Sequence, residues 1–116
     1  MPQITVDYSA ALDDAFDPQG YAKALHPVLV ETVAARTEAC KTRTRRADDF
    51  TVGDGTGADA VVHVEIALLA GRTDDAKARL GQAAADLVRD FVKPVDGLAL
   101  HISAEVRDLD ASYRTA

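Results

Sequence analysis

The chain is short of the residues that build covalent or metal-supported frameworks. Its single cysteine, Cys40, excludes an intramolecular disulfide and a cysteine-rich metal site. No apolar run approaches the roughly 18 residues that a membrane-spanning helix needs, although 47% of the residues are hydrophobic. The first residues also lack the basic and apolar segments of a secretory signal. We therefore expect a globular protein of the cytoplasm with no membrane partner.

Positive charge is scarce as well. There are 13 Lys and Arg residues against 19 Asp and Glu, which gives a net charge of -6. This balance argues against nucleic acid as a partner, because phosphate binding needs a basic surface. Lys41, Arg43, Arg45 and Arg46 nevertheless lie within one short stretch. They predict a local site for a small carboxylate or phosphate, and a solvated basic strand edge that discourages aggregation explains them equally well.

Several catalytic and cofactor motifs are missing. There is no Gly-x-Ser-x-Gly elbow, Cys40 has no neighbouring histidine, and the glycine-rich residues 53–57 lack the lysine of a phosphate loop. His and Glu residues share one face of each of two predicted strands, which allows a metal site, although paired surface or interface charges are the favoured interpretation. These four residues are His63, Glu65, His101 and Glu105.

The first half of the chain reads as strand, helix, strand. Apolar and polar residues alternate over residues 3–8, which predicts a strand with one buried face. Asp17 and Pro18 then form a helix start, and apolar residues follow at helical spacing to about Arg36, with Pro27 expected to bend the helix. A second strand with one cationic face begins at about Ala39. Residues 50–52 are expected to extend that strand or pair with it.

The second half repeats this order. Residues 62–68 alternate as a strand, Thr73 caps a helix that ends by Lys93, and residues 98–106 form the last strand. We expect one domain over residues 1–116, with an internal repeat of about 2–57 and 58–107 and a tail of 108–116 without a clear pattern. The predicted fold class is α+β with two layers: tandem β-α-β units form one mixed four-stranded sheet with both helices on one face.

The other face of that sheet is predicted to be polar. It would be covered either by water or by the sheets of further subunits. Nine polar residues are assigned to it: Lys41, Arg43, Arg45, His63, Glu65, His101, Ser103, Glu105 and Arg107.

Two residues outside the basic strand also suggest chemistry. Removal of Met1, which is expected before so small a residue, would leave Pro2 with a free secondary amine that can act as a general base. Arg72 lies where a strand turns into a helix, and the N–H groups of a helix start already favour an anion. A guanidinium there can bind a carboxylate through two hydrogen bonds.

Together these features resemble the tautomerase superfamily, and within it the 5-carboxymethyl-2-hydroxymuconate isomerase family. The resemblance covers nearly the whole chain and is carried by residues 1–9, 41–43, 52–55, 62–64 and 70–72. It implies a tautomerase-like fold, a homotrimer whose sheets surround a central barrel, no metal and no organic cofactor. It also implies a small-molecule unsaturated carboxylate as substrate and a place in the catabolism of aromatic compounds.

The resemblance further assigns the site residues. Pro2, Arg43 and Arg72 match the catalytic group, and Lys41, Arg43, Arg72 and Phe50 match the substrate-binding group. Lys41 stands where relatives often carry arginine, so it keeps the charge but loses the planar fork. The implied activity is enol–keto isomerisation of a 2-hydroxymuconate-type compound. Two other hypotheses remain: a non-catalytic, anion-binding or structural oligomer of the same fold, and a ferredoxin-like regulatory domain that forms dimers.

Overall fold

A computed structural model describes all 116 residues of the chain. It contains four strands, two α-helices and three short 3-10 helices. The strands and α-helices are β1 (Gln3–Ser9), α1 (Pro18–Val33), β2 (Lys41–Ala47), β3 (Asp59–Leu68), α2 (Asp74–Val88) and β4 (Ala99–Asp108), and the 3-10 helices are Ala10–Leu12, Thr37–Ala39 and Arg89–Phe91.

The four strands form one mixed sheet in the order β2-β1-β3-β4. The pairs β1–β2 and β3–β4 are parallel, and the central pair β1–β3 is antiparallel. Each helix therefore connects two neighbouring parallel strands, which confirms the predicted tandem β-α-β architecture. Because neither unit has a strand inserted between its own two strands, the topology differs from the split β-α-β arrangement of a ferredoxin-like domain.

Helix α1 begins as predicted and ends earlier. The Asp17 carboxylate accepts a hydrogen bond of 3.0 Å from the N–H of Gly20, and Pro18 occupies the first turn, where its missing N–H costs nothing. The helix continues through Pro27 without interruption. It ends at Val33 rather than near Arg36, because Ala34 adopts a left-handed conformation with φ of 55°.

Helix α2 begins at the predicted cap. The Thr73 hydroxyl oxygen accepts a 3.1 Å hydrogen bond from the N–H of Ala76, and two aspartates follow in the first turn. The last predicted turn tightens into the 3-10 helix Arg89–Phe91. The expectation that residues 50–52 extend or pair with a strand is wrong: they lie in an irregular loop, because β2 ends at Ala47 and the chain turns toward the start of β3.

The core lies between the helices and one face of the sheet. Alternate residues of β1 and β3 pack against the apolar stripes of both helices, and the buried Tyr21 hydroxyl donates a 2.8 Å hydrogen bond to the carbonyl of Ala84. The fully buried side chains include Ile4, Val6, Val62, Val64, Ile66, Leu25, Leu29, Leu80 and Val88. Neither helix has the length and apolarity needed to cross a bilayer.

The register confirms the polar second face. Gln3, Thr5 and Asp7 alternate with the buried residues of β1 and are paired with Lys41, Arg43 and Arg45 on β2. Paired residues of neighbouring strands point to the same face, so the cations of β2 lie on the side of the sheet away from the helices.

Candidate active site

Pro2 lies at one end of the sheet, immediately before β1. It is buried, and its carbonyl oxygen accepts a 3.3 Å hydrogen bond from the N–H of Lys41. Lys41 is also the register partner of Gln3, the residue after Pro2. The parallel pairing of β1 and β2 thus places the first residue of the cationic strand beside the start of the chain.

Two cations act on the amine at the start of the chain. The pKa of the Met1 amine is lowered from its ordinary value, chiefly by burial and then by the charges of Arg72 and Lys41, while Cys40 opposes them weakly. Both effects disfavour the protonated amine. The same two charges attract an anion to this end of the sheet, so a neutral amine and a bound carboxylate are compatible here.

Arg72 reaches this position from the turn between β3 and α2. Gly71 precedes it with φ of 120°, a conformation that favours glycine. The Arg72 guanidinium donates to the carbonyl of Val33 through Nε and Nη2, both at 3.3 Å, and to the carbonyl of Leu69 through Nη1 at 3.1 Å. Because a guanidinium has five N–H donors, two remain uncommitted.

The four basic residues of β2 fall into two groups, one with carboxylate partners and one without. Arg45 forms hydrogen bonds of 2.8 and 3.1 Å with the Asp7 carboxylate, and Arg46 pairs with Asp13 and Asp48. Lys41 and Arg43 have no carboxylate within ion-pair distance. Arg72 has none either. The paired arginines fit the interpretation of a solvated strand edge, whereas the unpaired cations keep their charge available for an external anion.

The unpaired cations of β2 are held by uncharged oxygens. The Lys41 ammonium donates to the carbonyl of Ala39 at 3.2 Å, and Arg43 Nη1 donates to the side-chain oxygen of Gln3 at 2.9 Å. The strand register pairs Lys41 with Gln3, next to Pro2, and Arg43 with Thr5, so Arg43 lies two residues further along the same strand face.

A sequence profile decides the family. The profile described as 5-carboxymethyl-2-hydroxymuconate isomerase matches residues 2–116, which include Pro2, Lys41, Arg43 and Arg72. The chain belongs to the 5-carboxymethyl-2-hydroxymuconate isomerase family. Membership confirms the resemblance drawn from the sequence and makes the protein an isomerase of the tautomerase type. No match was found among curated proteins.

Solved structures share the fold of this isomerase at low sequence identity. A 5-carboxymethyl-2-hydroxymuconate isomerase from Deinococcus radiodurans R1 is 22% identical with a TM-score of 0.65, over 98% of this chain and 88% of that one. A 5-carboxymethyl-2-hydroxymuconate delta-isomerase is 16% identical with a TM-score of 0.81, over 100% and 87%. A fused 4-OT symmetric trimer is 20% identical with a TM-score of 0.67, over 98% and 90%.

Within one chain, Phe50 lies apart from the other predicted site residues. Pro2 lies at the end of β1 that pairs with Lys41, whereas Phe50 follows Ala47 at the opposite end of β2. The seven residues of β1 separate the two ends by about 20 Å. Phe50 instead lines a cavity of about 240 Å³ near the start of β3. Within one chain, strand direction places Phe50 at the opposite edge of the sheet from Pro2, and its assignment to the wall of the pocket stays a prediction.

Three of the four His and Glu residues on the polar face of the sheet pair with other side chains. His63 Nδ1 lies 2.7 Å from the Ser103 hydroxyl, and His101 Nε2 lies 2.8 Å from a carboxylate oxygen of Asp59. Glu65 accepts a 3.0 Å hydrogen bond from Arg107. No three His, Cys, Asp or Glu side chains come together in a way that suits a metal ion.

The sequence-based prediction did not identify two residues that lie beside the site. In the sequence, Gln3 is only a polar position of a strand, and Tyr113 belongs to the tail without a pattern. In the structure, the side chain of Gln3 forms hydrogen bonds with both Arg43 and Tyr113. The only signal in the sequence is that Gln3 directly follows Pro2. Cys40 also lies near the chain start, where burial raises the pKa of its thiol and so keeps it protonated.

Proposed function

We propose that this isomerase catalyses enol–keto proton transfer on a 2-hydroxymuconate-type unsaturated carboxylate, with the amine of Pro2 as general base after Met1 is removed. The observation that carries the proposal is the pair of cations, Lys41 and Arg72, that lower the pKa of the Met1 amine, one residue before the Pro2 nitrogen, and have no carboxylate partner of their own. While Met1 is attached, the Pro2 nitrogen belongs to a tertiary amide and has no basic lone pair. The proposal therefore concerns the processed chain, and residues 1–116 are taken as one catalytic domain that loses Met1 on processing.

The proton transfer uses only the proline nitrogen and the substrate. The neutral amine takes the proton of the enol hydroxyl, and the electrons of that O–H bond form the C=O bond. The electrons of the C=C bond shift along the conjugated chain to a carbon atom, which then receives the proton from the ammonium. Such positioned proton transfer typically contributes about 10²- to 10⁴-fold to a rate. An amine that is mostly unprotonated near neutral pH suits this task. Burial and both cations act in that direction on the Met1 amine, and the Pro2 amine would lie one residue away from it.

The cations have a second role in the proposal. Negative charge builds up on the dienolate during the transfer, and positive groups already fixed in place stabilise it without reorganising. Arg72 is fixed by three hydrogen bonds to backbone carbonyls, and Lys41 by one. Lys41 presents a compact charge instead of a planar fork, so it fits one carboxylate oxygen better than two.

We also propose that the protein assembles as a homotrimer. The strands β2 and β4 are the outer strands of the sheet, and the polar face carries side chains that a barrel of several sheets would enclose. A structural neighbour is described as a symmetric trimer. In such an assembly Phe50 would reach a Pro2 site only from a neighbouring subunit.

The test begins with the mass of the purified protein, which shows whether the chain starts at Pro2. Ketonisation of 2-hydroxymuconate is then followed by the loss of its absorbance. We expect Pro2→Ala to lower kcat/KM about a hundredfold, the lower end of the range for general bases, because the variant keeps a primary amine. The exposed Pro94→Ala is the matched control and should retain full activity. Unchanged activity in Pro2→Ala, in protein of verified mass, would falsify the role of the proline.

A second candidate function is supported by Arg72. Three of the five N–H donors of Arg72 form hydrogen bonds with backbone carbonyls, so Arg72 stabilises the fold whether or not the protein is a catalyst. The candidate is a non-catalytic oligomer that binds small dicarboxylates. It predicts that processed protein raises its melting temperature with 2-hydroxymuconate or a saturated dicarboxylate, yet leaves the rate of ketonisation at the level of buffer.

A further inference from the structure

A chain of hydrogen bonds connects the C-terminal tail to the cationic strand through Gln3. Arg43 Nη1 donates to Gln3 Oε1 at 2.9 Å, and Gln3 Nε2 donates to the Tyr113 hydroxyl oxygen at 3.1 Å. Gln3 is the residue after Pro2 in sequence and the register partner of Lys41. The three side chains therefore meet at the same end of the sheet as the chain-start amine.

The chemistry of the three groups allows only one orientation of the Gln3 amide. A guanidinium has donors and no acceptor, so the amide oxygen must face Arg43. The amide N–H₂ group then faces Tyr113, whose oxygen accepts. This arrangement uses one of the five N–H donors of Arg43 and leaves four for a ligand.

The tail is folded so that Tyr113 reaches Gln3. The N–H of Leu109 donates to the carbonyl of Leu68, which continues the pairing of β4 with β3 by one residue. Asp110 then forms a turn: its carboxylate accepts from the N–H of Ser112 at 2.8 Å, and its carbonyl accepts from the N–H of Tyr113 at 3.0 Å. The tyrosine ring is half-buried as a result.

We propose that Gln3 and Tyr113 are positioning residues that orient Arg43 toward the substrate carboxylate remote from the enol. The inference rests on the proposed function. Lys41 is the register partner of Gln3, directly after Pro2, and with Arg72 would serve the reacting end of the substrate. Arg43 is the register partner of Thr5 and lies two residues further along the strand face. A long arginine side chain on an outer strand has many rotamers, and the Gln3 oxygen selects one of them before substrate arrives.

The test compares two enols that differ in their remote group. The first is 2-hydroxymuconate, which has a second carboxylate, and the second is phenylenolpyruvate, which has a phenyl ring instead. The ratio of the two kcat/KM values cancels any loss of folded or active protein, since that loss affects both substrates equally. Gln19→Leu, an exposed glutamine of α1 without a hydrogen-bond partner, is the control and should leave the ratio unchanged.

We expect Gln3→Leu to lower kcat/KM for 2-hydroxymuconate about tenfold, mainly by raising KM. For phenylenolpyruvate the same variant should lower kcat/KM by less than about twofold. Tyr113→Phe, which leaves the Arg43–Gln3 contact in place, should lower the first value about threefold. Because Gln3 acts through Arg43, the double variant with Gln3→Leu and Arg43→Met should be no worse than Arg43→Met alone.

The possible failures are distinguishable. If the wild-type chain beginning at Pro2 ketonises neither enol, the proposed function is wrong and the positioning role falls with it. If the wild-type protein is active but Gln3→Leu leaves the ratio unchanged or reduces both values equally, the proposed function stands and the positioning role is wrong. Additive losses in the double variant would likewise show that Gln3 does not act through Arg43.

Discussion

Arg72 and Val33 connect the turn of the second β-α-β unit to the end of the first helix. Two N–H groups of the Arg72 side chain donate to the carbonyl oxygen of Val33, each at 3.3 Å. Val33 is the last residue of α1, and the final carbonyls of a helix have no partner within it. A cation there also interacts favourably with the helix dipole. Arg72 thus supports the fold and, through its charge, lowers the pKa of the Met1 amine.

Replacement of Arg72 should separate these two roles. Arg72→Ala removes both, so we expect a loss of about 1 to 2 kcal/mol in the free energy of unfolding. The pKa of the amine should rise, because a nearby cation no longer disfavours its protonated form. Arg72→Lys keeps the charge but loses the planar guanidinium that bonds the two backbone carbonyls. It should therefore reduce the free energy of unfolding and leave the pKa of the amine close to that of the wild type. Urea unfolding and the pH dependence of kcat/KM measure the two effects, and a raised pKa in Arg72→Lys would contradict the assignment.

Lys41 should set the acidic limb of the pH–rate profile. The neutral amine is the active form, so activity rises as pH rises through the amine pKa. Lys41→Met removes a cation that lowers this pKa, and the limb should move to higher pH. Lys41→Arg preserves the charge and should leave the limb in place. Lys23→Met, a change at an exposed lysine of α1, is the control. A limb that does not move in Lys41→Met would show that the lysine acts on substrate alone.

His26 should make the protein less stable in mild acid. Its Nε2 lies 2.8 Å from the Thr42 hydroxyl, and burial lowers the pKa of the imidazole below its ordinary 6.5. The unfolded chain therefore binds a proton at a higher pH than the folded chain, and stability falls as pH falls from 6.5 through the lower folded pKa. From about pH 7 to about pH 5, the urea midpoint of the wild type should fall more than that of His26→Gln. Equal slopes for the two proteins would rule out this contribution.

Ala34 offers a stabilising substitution. It is exposed and holds a left-handed conformation with φ of 55° at the end of α1, where glycine has no steric penalty. We expect Ala34→Gly to raise the free energy of unfolding by about 1 kcal/mol. The matched control is Ala78→Gly at an exposed position within α2, which should lower it by about 1 kcal/mol. Thermal or urea unfolding measures both, and a loss of stability in both variants would contradict the strain at Ala34.

Local patterns in the sequence predicted most of the elements. Alternating residues identified β1 and the second face of the sheet, and the caps at Asp17 and Thr73 fixed both helix starts, because these signals depend on neighbours within a few residues. Helix ends were less predictable. Helix α1 ends at the left-handed residue Ala34, directly after Val33, whose carbonyl accepts hydrogen bonds from Arg72, a residue far away in sequence.

The sequence by itself determined the family, since residue type and order carry that information, and it grouped Pro2, the cationic strand and Arg72 as predicted site residues. Only the tertiary structure decided which charges are available. Strand pairing brings Asp7 to Arg45 and leaves Lys41 and Arg43 without a carboxylate. It also carries Phe50 to the opposite end of the sheet from Pro2 and brings Tyr113 to Gln3. Such pairings depend on register and strand direction, which join residues distant in sequence and leave no local pattern to read.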